Sequence, residues 1–160
     1  MGGVVKPALR VCGEAIIERV VRAALRVARS VVVALSGYTL PLLKDYCGAP
    51  GVTACIELGG RGYPEDLRLA VNAVRARPLL VLPGDTPFIT PRLLEWFIGR
   101  ASRLDADLVT LVARGSGPLG VSLVKGWGWS WATIEAPASP ELLNVNTWRD
   151  YAEAVGRCTG

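Results

Sequence analysis

The stretch LLVLPGDTPFIT, Leu79 to Thr90, decides the fold: an apolar run of strand length that ends in an acidic residue. A strand covered on both faces reads as continuous Leu and Val rather than as an alternation. Ligands of open α/β sheets bind outside the carboxyl ends of such strands, so Asp85 stands where chemistry is expected. Pro83, Gly84 and Pro87 mark the exit from the run as a shaped turn. Asp85 has a second reading, as N-cap of a helix starting near Pro91, and the run alone leaves both open.

Outward from this run, strand and helix signals alternate. Apolar residues from Gly13 to Arg29 (Ile16, Ile17, Val20, Val21, Ala24, Leu25, Ala28) recur at helical spacing, with Arg19, Arg22, Arg26 and Arg29 as a solvated face. Ser30 to Leu35 is valine-rich and reads as a buried strand. A short helix over Leu40 to Tyr46, a strand over Thr53 to Leu58, and a helix opening at Pro64 with Glu65 and Asp66 in its first turn come next. Beyond Asp85 the pattern predicts a helix over Pro91 to Leu104, strands over Asp107 to Ala113 and Gly120 to Lys125, an apolar stretch Leu142 to Val145, and a helix over Thr147 to Arg157. With 160 residues this predicts one α/β domain, doubly wound, with a mostly parallel sheet and helices on both faces.

Composition narrows the class. The chain is 51% hydrophobic, yet its apolar runs fall far short of the roughly 18 residues a spanning helix needs. Lys6, Arg10 and Glu14 interrupt the first apolar run, so no signal peptide is read and a cytoplasmic protein is expected. A net charge of +4 without a basic block does not point to nucleic acid. Arg far outnumbers Lys, and Met occurs once, a bias expected of a thermophile and also of a GC-rich genome. Cys12, Cys47, Cys55 and Cys158 form no C-x-x-C pair and the chain has no His, which argues against zinc. Buried free thiols are expected, with disulfides the alternative in a hyperthermophile.

Two glycine-rich loops could cradle an anion: MGGVVKP, with Gly2, Gly3 and Lys6, and GGRGYPED, with Gly60, Gly62 and Tyr63. The second opens onto a helix N-terminus, where backbone donors and dipole favour phosphate. The second is neither a Walker A loop nor a dinucleotide fingerprint. In LLNVNTWRDY, Asn144 and Asn146 alternate, so both side chains point to one face. Asn146 reads either as cap of the last helix or as an oxygen ligand; with Asp85 it could hold Mg²⁺.

MGGVVKP, GEAIIERVV, LPGDTPF and NVNTWRDY together resemble the nucleotidyltransferases of the molybdenum-cofactor guanylyltransferase superfamily. GGRGYPEDL resembles the G-x-G-Y-x-x-D-L segment of the archaeal GTP:adenosylcobinamide-phosphate guanylyltransferases, as does KPALRVCGEAIIERVV. The resemblance implies a Rossmann-like nucleotidyltransferase fold. It also implies transfer of GMP from GTP to adenosylcobinamide phosphate, with release of pyrophosphate, in cobalamin biosynthesis. By the same resemblance Lys6 neutralises the triphosphate, Asp85 binds Mg²⁺ with Asn146 as partner, and Gly60, Gly62 and Tyr63 hold nucleotide. Ser36 and Gly37 would lie near the guanine and Gly120 near the nucleotide.

Family members carry a strand and a GG-x-G-T-R loop before the M-G-x-x-K-P segment. Roughly a dozen residues forming a central strand are therefore expected to be missing, with Met1 an internal methionine and the neighbouring strands left as edges. A molybdenum-cofactor guanylyltransferase and a non-catalytic nucleotide-binding protein are the rival readings. WGWSW would place Trp127, Trp129 and Trp131 on one face of a strand, read as core packing or a homodimer contact ahead of a platform for the corrin ring.

Overall fold

The computed structural model describes residues 1–159. A two-residue hairpin, β1 (Arg10–Val11) with β2 (Glu14–Ala15), leads into α1 (Ile16–Leu25). β3 (Val31–Ser36), α2 (Leu40–Leu43) and β4 (Val52–Leu58) form one crossover unit, since β3 and β4 pair in parallel. Then come α3 (Tyr63–Ala73), β5 (Leu79–Val81), α4 (Pro91–Ala101), β6 (Leu108–Ala113), β7 (Gly117–Val124), β8 (Trp131–Ala136) and α5 (Trp148–Gly156).

The last four strands make one sheet in the order β5-β7-β6-β8. β7 is antiparallel to both β5 and β6, and β6 is parallel to β8, so β5, β6 and β8 share one direction and β7 returns against them. Three of the four strands thus run one way, with β7 reversed between β5 and β6, and the separate β3–β4 pair is parallel. Only three residues, Arg114 to Ser116, join β6 to β7, which is long enough for a hairpin and too short for a crossover. Among the described residues β3 pairs only with β4, and β5 only with β7, so each keeps a free edge.

The core has two parts, and α1 joins them. Ile16, Val20 and Ala23 pack with Leu94, Phe97 and Ala101 of α4 and with Val109, Leu111, Val121 and Leu123 of the sheet. Ile17, on the adjoining face of α1, packs instead with Val33, Leu35 and Leu43. Full burial of side chains of this size contributes about 1.5–3 kcal/mol each, which fixes α1 against both sheets. α1 and α4 end three to four residues before the apolar pattern does. Tightened i to i−3 bonds close both: Val27 N–H to Ala24 C=O at 3.0 Å and Leu104 N–H to Ala101 C=O at 3.3 Å.

Three local expectations are corrected. Asn144 and Asn146 do not alternate along a strand but follow a 3-10 turn, Pro140–Leu142. The four cysteines are not free thiols: Cys12 is bonded to Cys158 and Cys47 to Cys55. The WGWSW run does not lie on a strand, because β8 begins at Trp131 and Trp127 and Trp129 sit in the preceding loop. Asp107 dictates that loop: its C=O accepts from Lys125 N–H at 2.7 Å, and its carboxylate from Ser130 Oγ at 2.6 Å. The carboxylate packs so closely on Gly126 and Gly128 that a side chain at either would collide with it. No described helix is long and apolar enough to cross a membrane.

Candidate active site

The carboxyl ends of β5, β6 and β8 share one end of the sheet, and Asp85 lies four residues beyond β5 at that end. Thr90, not Asp85, caps α4, accepting from Leu93 N–H at 3.2 Å. Thr147, not Asn146, caps α5 through a reciprocal box with Asp150. Both residues whose sequence readings included a cap are therefore free of that duty. The backbone then brings them together: Val145 N–H donates to the Asp85 C=O at 2.9 Å, which sets Asn144 and Asn146 on either side of that contact.

Lys6 completes the group. It opens a short 3-10 turn, Lys6–Ala8, whose Pro7 ring lies against Gly84; a Cβ at Gly84 would come within 3.0 Å of Pro7 Cγ, so glycine permits the approach. Lys6 Nζ donates to Asn146 Oδ1 at 2.8 Å and stands 3.6 Å from Asp85 Oδ2. The other oxygen of Asp85 and the Oδ1 of Asn144 are buried and have no hydrogen-bond partner. Burial raises the Asp85 carboxyl above its ordinary value, and the Lys6 charge opposes this without cancelling it. These donors are hard oxygens of the kind that suit Mg²⁺ or Mn²⁺, and the unpartnered carboxylate oxygen leaves capacity for one. No cluster of three or more His, Cys, Asp or Glu side chains occurs among the described residues.

A cavity of about 290 Å³ opens beside this group, lined by Val5, Lys6, Tyr38, Thr39, Tyr63 and Asp85 among others. Tyr63, the first residue of α3, has its hydroxyl raised above the ordinary tyrosine value by desolvation and by the Asp85 charge. Gly120, in β7, has φ 77° and faces the same corner: a Cβ there would lie 3.3 Å from both Tyr63 Oη and Pro83 Cβ. Gly120→Ala is expected to cost about 1–2 kcal/mol in urea melts, from the left-handed backbone alone, and to displace the Tyr63 ring.

Ser36 and Gly37 lie at the end of β3, and a Cβ on Gly60 would sit 3.8 Å from Ser36 Cβ, so these two segments adjoin. Gly3 is tied to the β3 exit because its C=O accepts from the Tyr38 hydroxyl. Gly2 and Gly62 are exposed, and a side chain at either would meet nothing within 4 Å. Tyr38, Thr39 and Pro83 were not anticipated as lining residues. Their one sequence signal is position: Tyr38 and Thr39 directly follow Ser36-Gly37 and Pro83 precedes Gly84.

A family model of the MobA-like NTP transferase domain matches residues 1–145. No curated protein matches by sequence. Among solved structures the chain is similar to 4-diphosphocytidyl-2C-methyl-D-erythritol synthase from Anaerococcus prevotii, with TM-score 0.76 and 10% identity over 96% of this chain and 93% of that one. It is similar to HddC from Yersinia pseudotuberculosis complexed with GMP-PN, with TM-score 0.69 and 13% identity over 96% and 90%. It is also similar to Rv0371C of Mycobacterium tuberculosis in complex with manganese, with TM-score 0.69 and 15% identity over 94% and 91%. At these identities the structural likeness establishes a shared Rossmann-like fold, and the family match reaches further: the chain belongs to the family of MobA-like NTP transferase domains and is a nucleotidyltransferase.

Proposed function

We propose that this nucleotidyltransferase moves GMP from GTP to adenosylcobinamide phosphate, releasing pyrophosphate, with Mg²⁺ held by Asp85 and Asn146. The observation that carries the reading is the convergence of Lys6, Asp85 and Asn146, from three distant parts of the chain, within 4 Å of a shared ammonium group. Tyr63, from the G-x-G-Y-x-x-D-L segment that favours the cobinamide enzyme, lines the same cavity. The GMP-PN complex of a structural neighbour and the manganese complex of another are compatible with a guanine nucleotide and a divalent cation.

The chemistry needs little beyond these groups. An acceptor phosphate is ionised at neutral pH, so no general base is required, and the chain has no histidine to serve as one. Nucleotidyl transfer is driven by positioning and by neutralisation of charge on the phosphates. Lys6 supplies a cation that can turn from Asn146 to the triphosphate, and the metal, when bound, stabilises the departing pyrophosphate. A second cavity, about 530 Å³, adjoins Asn146 from the side of β7 and α5 and includes Leu119, Asn144, Asp150 and Arg157 in its lining.

β3 and β5 each keep a free edge among the described residues, and the two edges belong to separate sheets. Leu79, Leu80, Val81 and Leu82 are only half-buried, short of what a doubly covered strand would reach. The test is pyrophosphate release from GTP and Mg²⁺ with adenosylcobinamide phosphate or molybdopterin as acceptor. Turnover with the corrinoid alone is expected, and Lys6→Met should lower it about 10²–10³-fold, the usual loss on removing one charge-stabilising group. Turnover with molybdopterin alone would overturn the acceptor, and GTP binding without any product would favour a binding protein.

A further inference from the structure

The end of the sheet opposite the active site carries a surface that the transferase reaction does not use. Leu79, Val124, Leu108 and Trp131 form one register row across the four strands, and the loops beyond that row lie at the amino ends of β5, β6 and β8. From Trp131 to Ala136 the sheet extends about 16–17 Å before reaching the catalytic end. The tryptophans of WGWSW therefore cannot form a platform for an acceptor reacting beside Asp85.

They are nonetheless presented to solvent to an unusual degree: Trp129 is 96% exposed, Trp131 63% and Trp127 56%. A projecting indole of this kind loses by facing water, and here the loop holds it there through the Asp107 contacts to Lys125, Ser130 and the two glycines. Hydrogen bonding from Ser130 keeps the Asp107 carboxyl below its ordinary value, so that acid is committed to the loop at neutral pH. The adjoining loops carry cations: Arg75 and Arg77 before β5, Arg103 before β6, and Lys125 after β7. Arg77 stacks on the Trp127 ring at 3.9 Å. None of the four cations forms an ion pair with an acid among the described residues, and Asp105 is the one other acid of these loops.

We infer that this end of the molecule docks on an anionic bilayer surface, with the indole of Trp129 in the headgroup region and Arg75 and Arg103 against acidic headgroups; the Trp131 N–H is held by Thr110 Oγ1 at 3.2 Å and the Lys125 ammonium by the Leu104 C=O. Indoles partition to the membrane interface because an apolar ring and an N–H donor are satisfied there together, and each nearby cation adds attraction to anionic lipid. A second copy of the chain is disfavoured as occupant, since a twofold contact through this surface would set its cations against their own counterparts. A nucleic-acid strand calls for a groove that tracks its backbone, and neither cavity described above is lined by these tryptophans. Docked in this way, the enzyme keeps its catalytic end facing the aqueous phase.

Flotation with vesicles of phosphatidylcholine containing one third phosphatidylglycerol, alongside vesicles of phosphatidylcholine alone, tests the inference without requiring activity. Binding to the anionic vesicles, a blue shift of tryptophan emission and quenching by brominated acyl chains are expected. Trp129→Ser should weaken binding about tenfold or more, and Arg103→Gln about fivefold, with circular dichroism and melting of the variants unchanged. Absence of vesicle binding by the parent, or equal binding to neutral vesicles, would overturn the inference. So would concentration-dependent dimers, or binding to polyuridine, that Trp129→Ser abolishes while vesicle binding persists.

Discussion

Asp85→Asn is expected to lower nucleotidyl transfer about 10³-fold while raising the melting temperature at neutral pH. The activity loss follows from removing the one carboxylate of the converging group, since a metal-bound charge at the phosphates contributes several kcal/mol to the transition state. The gain in stability follows from burial. Asp85 Oδ1 is buried without a partner, and desolvation raises the carboxyl more than Lys6 lowers it. The folded chain thus holds that proton more tightly than the unfolded chain, so the ionised form costs stability. That cost is absent below the ordinary carboxylate value near about pH 4 and complete once the pH has risen through the folded value. The variant should therefore melt above the parent at pH 7 and together with it in acid. Lys6 is not stranded by the change, because it keeps its bond to Asn146 and 29% of its side chain remains exposed.

Metal titration separates this account from a merely structural one. Mg²⁺ or Mn²⁺ at a hundredfold excess over the dissociation constant should raise parent stability by about 2.7 kcal/mol. The asparagine variant should show no such gain. A variant that stays active, or a parent that melts identically with and without metal, would remove Asp85 from the site.

How much of this was legible beforehand depends on whether the deciding contact is local. The apolar faces of α1 and α4 and the valine run of β3 carry their own periodicity, and all three appear where the sequence puts them. The choice between cap and site at Asp85 and Asn146 was not local. Thr90 and Thr147 stand a few residues on and take the caps, and only the 2.9 Å bond from Val145 to Asp85 shows that the two segments meet. WGWSW misled for a similar reason: its alternation reads as a strand, but Gly126 and Gly128 exist to let Asp107 in, and Asp107 lies 19 and 21 residues away. β8 was hidden behind that aromatic run, although Ile134 and Ala136 alternate with exposed Thr133 and Glu135. The disulfides were least accessible, since pairing Cys12 with Cys158 requires both chain ends to be placed first.

That pairing carries the second large expectation. Replacing both Cys12 and Cys158 by serine should cost about 4–5 kcal/mol, the loop-closure value for a ring of more than 100 residues. Here the bond spans 146 positions of sequence. The Cys47–Cys55 bond, spanning 8, should contribute about 2–3 kcal/mol on the same scale. The long bond also bears on the site, because the segment it anchors at one end carries Lys6 and the helix it anchors at the other follows Asn146. Beside it, the Tyr151 hydroxyl donates to the Arg10 C=O at 2.9 Å, and these two links hold the amino-terminal turn on α5. Tyr151→Phe removes one hydrogen bond and should cost about 1 kcal/mol. The cysteine variant should lose turnover at temperatures below its own melting point, as the Lys6 to Asn146 contact becomes intermittent, whereas the Cys47→Ser, Cys55→Ser variant should keep full turnover until it melts. Equal stability of the parent with and without dithiothreitol would show that the long bond closes no ring in solution.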